Sequence, residues 1–261
     1  MNKKIFKYAY YRTVKKKNTY VAISIIIISA FFTLKRNWIL YSLYLVDHVG
    51  AINMFIYSSI KGNGIMSLLA PFVVMLVYPT IFYEDLQNKV KRNVRRQMTK
   101  TDYFLSEIVS AFVVSGSIYM IGNVIVLVIG WFVSPYASCR ITFLVGIFSD
   151  IYMDSMGKYI LLFVAHAFLF GGVYGIFGIG IVFFIKNKCL LWIVPTLLYY
   201  TGYYVVTFFE KGQELLKYVI PLLTYEISTF DIPLKVNIMQ MISVGLTGCI
   251  LFYIGLSKAD I

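Results

Sequence analysis

The sequence predicts an all-α, polytopic membrane protein, and three observations point that way. Hydrophobic residues make up 59% of the 261 residues and charged residues only 14%, too few charges to cover a water-facing surface. Mean hydropathy is +0.76. Long uncharged stretches alternate with short basic clusters, as in helices that cross a bilayer between charged ends. The three cysteines, Cys139, Cys189 and Cys249, are odd in number and widely spaced, which does not fit a secreted disulfide scaffold. Soluble enzymes and soluble nucleic-acid binders do not fit the composition either.

The chain begins with a basic stretch, residues 1–17. Ile5, Ala9 and Thr13 fall on one helical row with Phe6, Tyr10 and Val14 beside them, while Lys4, Lys7, Tyr11 and Lys15 lie elsewhere around the turn. This periodicity predicts an amphipathic helix lying in the inner membrane interface, not a cleavable leader.

A bilayer crossing takes about 20 apolar residues, with about 17 as the floor. The gaps between formal charges hold 17 residues from Lys17 to Lys35, 22 from Lys61 to Glu84 and 32 from Glu107 to Arg140. They hold 27 from Lys158 to Lys186, 21 from Lys188 to Glu210 and 22 from Lys235 to Lys258. Six spans are predicted: 18–34, 64–83, 106–133, 159–185, 189–209 and 236–256. The first is the shortest, and its flanking lysines snorkel to the headgroups. Residues 37–60 are mostly apolar but carry Asp47 and His48 in their middle. A midplane charge costs about 2.5–3.5 kcal/mol or more, so this piece reads as a short external helix or a re-entrant segment.

Six spans with both termini cytoplasmic put 16 basic and five acidic residues inside, against eight and seven outside. Thus +11 of the net charge of +12 faces the cytoplasm of a cell membrane. This is the positive-inside pattern, and it accounts for the basic balance without a nucleic-acid partner.

The usual chemical motifs are missing. No G-x-x-x-x-G-K-[ST] is present, so ATP has no P-loop in this chain. The two histidines, His48 and His166, have no ligand-spaced carboxylates or thiols beside them, so no metal site is expected. His166 lies within the fourth span. There it reads either as a functional group, on the substrate pathway or as a lone intramembrane catalyst, or as a neutral histidine hydrogen-bonded between helices. Gly171 and Gly175 form a G-x-x-x-G in the same span, with Gly172, Gly178 and Gly180 nearby. Tight helix packing is the expectation, a hinge or protomer-facing surface the alternative. Tyr199, Tyr200, Tyr203 and Tyr204 crowd the fifth span. They read as packing or as the lining of a pathway for a large amphipathic substrate. Residues 210–235 mix four acids with apolar residues around Pro221, which suits a pair of short re-entrant helices, with a plain external loop as the alternative.

The loop after the second span is the most informative segment. Glu84 and Asp85 end the span, and Leu86, Val90, Val94 and Met98 recur every four residues on a stretch otherwise rich in Lys and Arg. A helix with that stripe must bury it against headgroups or a groove on a cytoplasmic partner. Thr99-Lys100-Thr101-Asp102-Tyr103 then leads into the third span.

With this segment the chain resembles the permease subunits of type-2 ABC exporters. The span layout matches over the whole chain, the motif only over about Phe82 to Glu107. Asn88-Lys89 stands where the family usually has Gly-Thr, and Thr99-Lys100 where it has Ser-Arg. Glu107 stands where a basic residue often opens the third span. The resemblance implies an interfacial elbow helix at residues 1–17 and a single six-span domain over 18–256. It makes 84–105 a cytoplasmic coupling loop and 257–261 a cytoplasmic tail. It also implies a cytoplasmic ABC ATPase subunit as partner, holding the ATP and Mg, and a second permease copy or paralogue. Glu84 and Asp85 would join the coupling helix to the span, and Leu86, Val90, Val94 and Met98 would face the ATPase or the bundle. The implied activity is export of a hydrophobic or amphipathic substrate, such as a peptide or bacteriocin. The rival expectation is a non-transporting membrane anchor or assembly protein that recruits a cytoplasmic partner through its basic loop.

Overall fold

The computed structural model describes residues 3–43, 65–88, 90, 98–133, 151, 154–208 and 234–258. Among them the regular structure is helical, with no strand. In chain order the helices are α1 (Lys3–Lys15), α2 (Lys17–Leu43), α3 (Ile65–Leu76), α4 (Tyr78–Gln87), α5 (Lys100–Val133), α6 (Met156–Ile181), α7 (Lys188–Phe208) and α8 (Leu234–Lys258). A short 3₁₀ turn, Val182–Phe184, extends α6.

Three of these are long and apolar enough to cross a membrane: α5, α6 with its 3₁₀ turn, and α8. The pair α3–α4, bent by 43°, makes a fourth if taken as one span. The apolar part of α2, Lys17–Phe32, is shorter. Beyond it α2 runs on as one helix past Lys35 and Arg36 to Leu43, so the first part of the segment expected as a separate 37–60 piece continues this helix. The remainder of that segment and the 210–233 stretch lie outside the described residues. Large apolar side chains cover the outside of the bundle. On α8 alone Ile238, Ile242, Leu246, Ile250 and Tyr253 are exposed. A contiguous apolar exterior suits lipid and not water, and the molecule is a membrane-protein-like helical bundle.

Helix α6 is the centre of that bundle, packing most extensively on α5 and α8. Lipid supplies no hydrophobic drive between helices, so backbones must approach closely for dispersion to act. The glycines permit this. A Cβ on Gly175 would lie 2.7 Å from the Ala111 carbonyl oxygen on α5. One on Gly171 would lie 2.8 Å from Tyr119 Cβ. On the other side of α6, a Cβ on Gly248 of α8 would lie 2.6 Å from Phe177 Cα. Gly180 meets Gly248 itself. The glycines of the fourth predicted span thus serve packing inside the chain. The register of these contacts makes α5 and α6 antiparallel and α6 and α8 parallel.

The bend between α3 and α4 has an identifiable cause. Pro79 has no N–H to give the carbonyl of Met75, four residues back. The Thr80 hydroxyl donates to that oxygen instead, at 2.6 Å. Trp192 Nε1 on α7 in turn donates to Thr80 Oγ1 at 2.8 Å, and the Pro79 ring packs where α6 has Gly178. The bend is therefore satisfied within the protein, as a break at bilayer depth requires.

Candidate functional site

The charged end of α4 gathers side chains from three parts of the chain. Asp85, 2% exposed, pairs with the Arg12 guanidinium of α1. Glu84 accepts from two lysines, one on each oxygen. Lys16 Nζ, in the break between α1 and α2, lies 3.0 Å from Oε2. Lys188 Nζ, at the start of α7, lies 2.5 Å from Oε1. Next to them the Tyr83 hydroxyl donates to the Lys186 carbonyl at 2.6 Å, in the turn between α6 and α7. The helix ends place the members. Glu84 and Asp85 stand in the last turn of a helix that starts at the bend, and Lys188 opens α7 after the 3₁₀ turn. Three cations meet two carboxylates here, in charge-assisted contacts.

This cluster gives the acidic pair partners 68 and 104 residues away from Glu84. Lys89 and Arg92, which follow the acidic pair closely in sequence, lie outside the described residues. The positive-inside count already grouped Arg12, Lys16, Lys188, Glu84 and Asp85 on one side of the membrane. That grouping was the available signal for the pairing.

Of the apolar stripe, Leu86 packs against the core of the bundle. Val90 and Met98 are half-buried, and Val94 lies outside the described residues. Where the chain re-enters helix, Thr99 caps α5. Its Oγ1 accepts from the Asp102 N–H at 3.1 Å and donates to Asp102 Oδ2 at 2.8 Å. The threonine of the Thr-Lys-Thr-Asp sequence is thus the N-cap of α5 in this chain. Lys100 reaches across to Ser257 Oγ of α8 at 2.9 Å and lies over the Tyr253 ring. The start of α5 and the end of α8 therefore share this end of the bundle.

Two further polar groups sit deeper. Glu107, fully buried on α5, accepts a 2.6 Å hydrogen bond from the Tyr78 hydroxyl. Tyr78 is the first residue of α4 after the bend, so this bond ties the bend to α5. His166 on α6 is buried, and its Nε2 lies 3.2 Å from Asn237 Oδ1 on α8. The fourth-span histidine therefore has a neutral partner on a neighbouring helix, an arrangement that joins helices. Tyr199 is buried and Tyr200 half-buried on α7, their rings edge to face at 6.3 Å. The side chains of Tyr203 and Tyr204 lie outside the described residues. Among those residues, no cluster of His, Cys, Asp or Glu is placed to hold a metal ion.

Compared with family models, with curated proteins and with solved structures, the chain has no match.

Proposed function

We propose that the chain is the transmembrane permease subunit of a type-2 ABC exporter. It crosses the cell membrane six times with both termini in the cytoplasm, and it works as a dimer of permeases with two separate ATPase subunits. ATP and Mg are bound and hydrolysed in those subunits. Closure of the ATPases moves the 84–105 loop and rocks the spans, and a hydrophobic or amphipathic substrate, a peptide such as a bacteriocin, crosses as a result.

The observation that carries this reading is how the loop is mounted. It leaves α4 at an acidic end that three cations grip and returns through a capped start of α5. A loop so mounted passes a push on its apolar stripe into a bent span and into α5 together. The apolar exterior and the N-terminal helix packed on α5 suit the same reading.

The test is a pull-down of the detergent-solubilised chain from its native membrane, beside a Val90→Asp/Val94→Asp double variant. A P-loop ATPase recovered with the wild type and lost with the variant supports the permease and places docking on Leu86–Met98. A stable, correctly inserted chain that brings down no ATPase overturns it. The membrane anchor, recruiting some other cytoplasmic partner through the same basic loop, then becomes the better reading.

A further inference from the structure

We infer that Glu84 and Asp85 close an ion-pair clasp that fastens α1 and the first turn of α7 to the charged end of α4, so that α1 and this end move as one body. A helix of 13 residues has little stability of its own in water. Much of α1 faces outward: Tyr10, Tyr11 and Val14 are exposed, and Lys15 Nζ lies over the Tyr11 ring at 4.1 Å. Its inward seam runs through Thr13, which is fully buried and whose carbonyl accepts from Thr19 Oγ1 at 2.6 Å. Beside that seam Arg12 reaches Asp85, and one turn on Lys16 reaches Glu84.

The competing account holds that apolar packing on α5 fixes α1 and that the ion pairs are ornament, as exposed pairs usually are. The exposure of the carboxylate decides against that. The Asp85 side chain is 3% exposed and that of Arg12 21%. Removing Arg12 takes its cation from a carboxylate that water hardly reaches, which costs more than losing an exposed pair. Glu84 is more open, at 25%, and compensates by taking one lysine on each oxygen. Lys188 extends the clasp to α7, whose Trp192 already holds the bend through Thr80. Helix α4 is thus held by α7 at two places, Thr80 beside the bend and Glu84 at the charged end, and at that charged end by Arg12 of α1 and by Lys16 in the α1–α2 break.

For the exporter the clasp implies that a push on the coupling loop is felt at α1. That last step rests on the permease reading; the clasp itself does not.

The test is amide hydrogen exchange on the purified full chain, read for residues 3–15 and, as a folding control, for α5. Arg12→Gln and Asp85→Asn should each speed exchange of α1 by about tenfold, a discounted figure for a pair only partly enclosed, with α5 unchanged. The exchanged pair Arg12→Asp/Asp85→Arg should restore slow exchange. Unchanged exchange of α1 in both single variants overturns the clasp. Should either single variant fail to fold, Lys16→Gln at the half-exposed rim decides in the same way: faster exchange of α1 supports the clasp and unchanged exchange overturns it. Co-purification of the ATPase is scored separately. Faster α1 exchange in a chain that captures no ATPase keeps the clasp and sinks the permease. An ATPase captured with α1 unmoved sinks the clasp alone.

Discussion

Helices α6 and α8 are both apolar enough to cross a bilayer, yet 67% of the α6 window is buried against protein and only 39% of the α8 window. Hydrophobicity does not separate them, because lipid tails receive either helix equally well. Side-chain size does. Along α6, Gly171, Gly172, Gly175, Gly178 and Gly180 open space for neighbours on several sides. On α8 the close approach centres on Gly248, and Leu246, Ile250 and Tyr253 turn outward. In this solvent, a helix becomes central by what its surface lacks.

The sharpest break of that contrast is Gly175→Leu. It drives a large side chain into the Ala111 carbonyl and the Ser115 side chain of α5, and should cost about 3 kcal/mol, the upper range for overpacking. Thermal unfolding in detergent should show a large fall in midpoint; an unchanged midpoint would mean that α5 and α6 do not touch here. Thr80→Val is the intermediate case. It keeps the shape at the bend but removes the donor to the Met75 carbonyl and the acceptor for Trp192. A loss of about 1–2 kcal/mol is expected, with a change in Trp192 fluorescence that a distant packing defect would not give. Leu246→Ala, on the outward face of α8, should stay within about 0.5 kcal/mol. A larger effect would mean that protein, not lipid, covers that face.

The sequence made part of this legible. Charge gaps came close to the bounds of two helices: α6 with its 3₁₀ turn covers 156–184 against the predicted 159–185, and α8 covers 234–258 against 236–256, whereas α2 runs on to Leu43 and α5 begins at Lys100. A charge reports a helix end where the helix stops with the apolar run, as in α6 and α8; α2 continues past Lys35 and Arg36, and α5 buries Glu107 within its length. The bend was not legible. Pro79 lies inside an uninterrupted apolar run; the hydroxyl that satisfies the freed carbonyl comes from the next residue, and the indole that donates to that hydroxyl comes from another helix. The glycine spacing announced close packing, but not that α5 and α8 would fill the two sides. The partners of Glu84, Asp85 and His166 were equally hidden, since Arg12, Lys16, Lys188 and Asn237 share no local pattern with them. Only the side of the membrane was readable for the charged ones.

The parallel pairing of α6 with α8 also sets an order of assembly. α5 and α6 are antiparallel neighbours in sequence and can pair as soon as both have left the ribosome. The face of α6 at Phe177 and Gly180 has to wait for Gly248, until α7 and the 209–233 segment have been made. At about 5–20 residues per second that wait lasts several seconds. During it the most protein-buried of the three long apolar helices stands half uncovered, its glycine notches open to whatever else the membrane holds. A chain cut short before Leu234 would stay in that state, a natural mark for the machinery that clears incomplete membrane proteins.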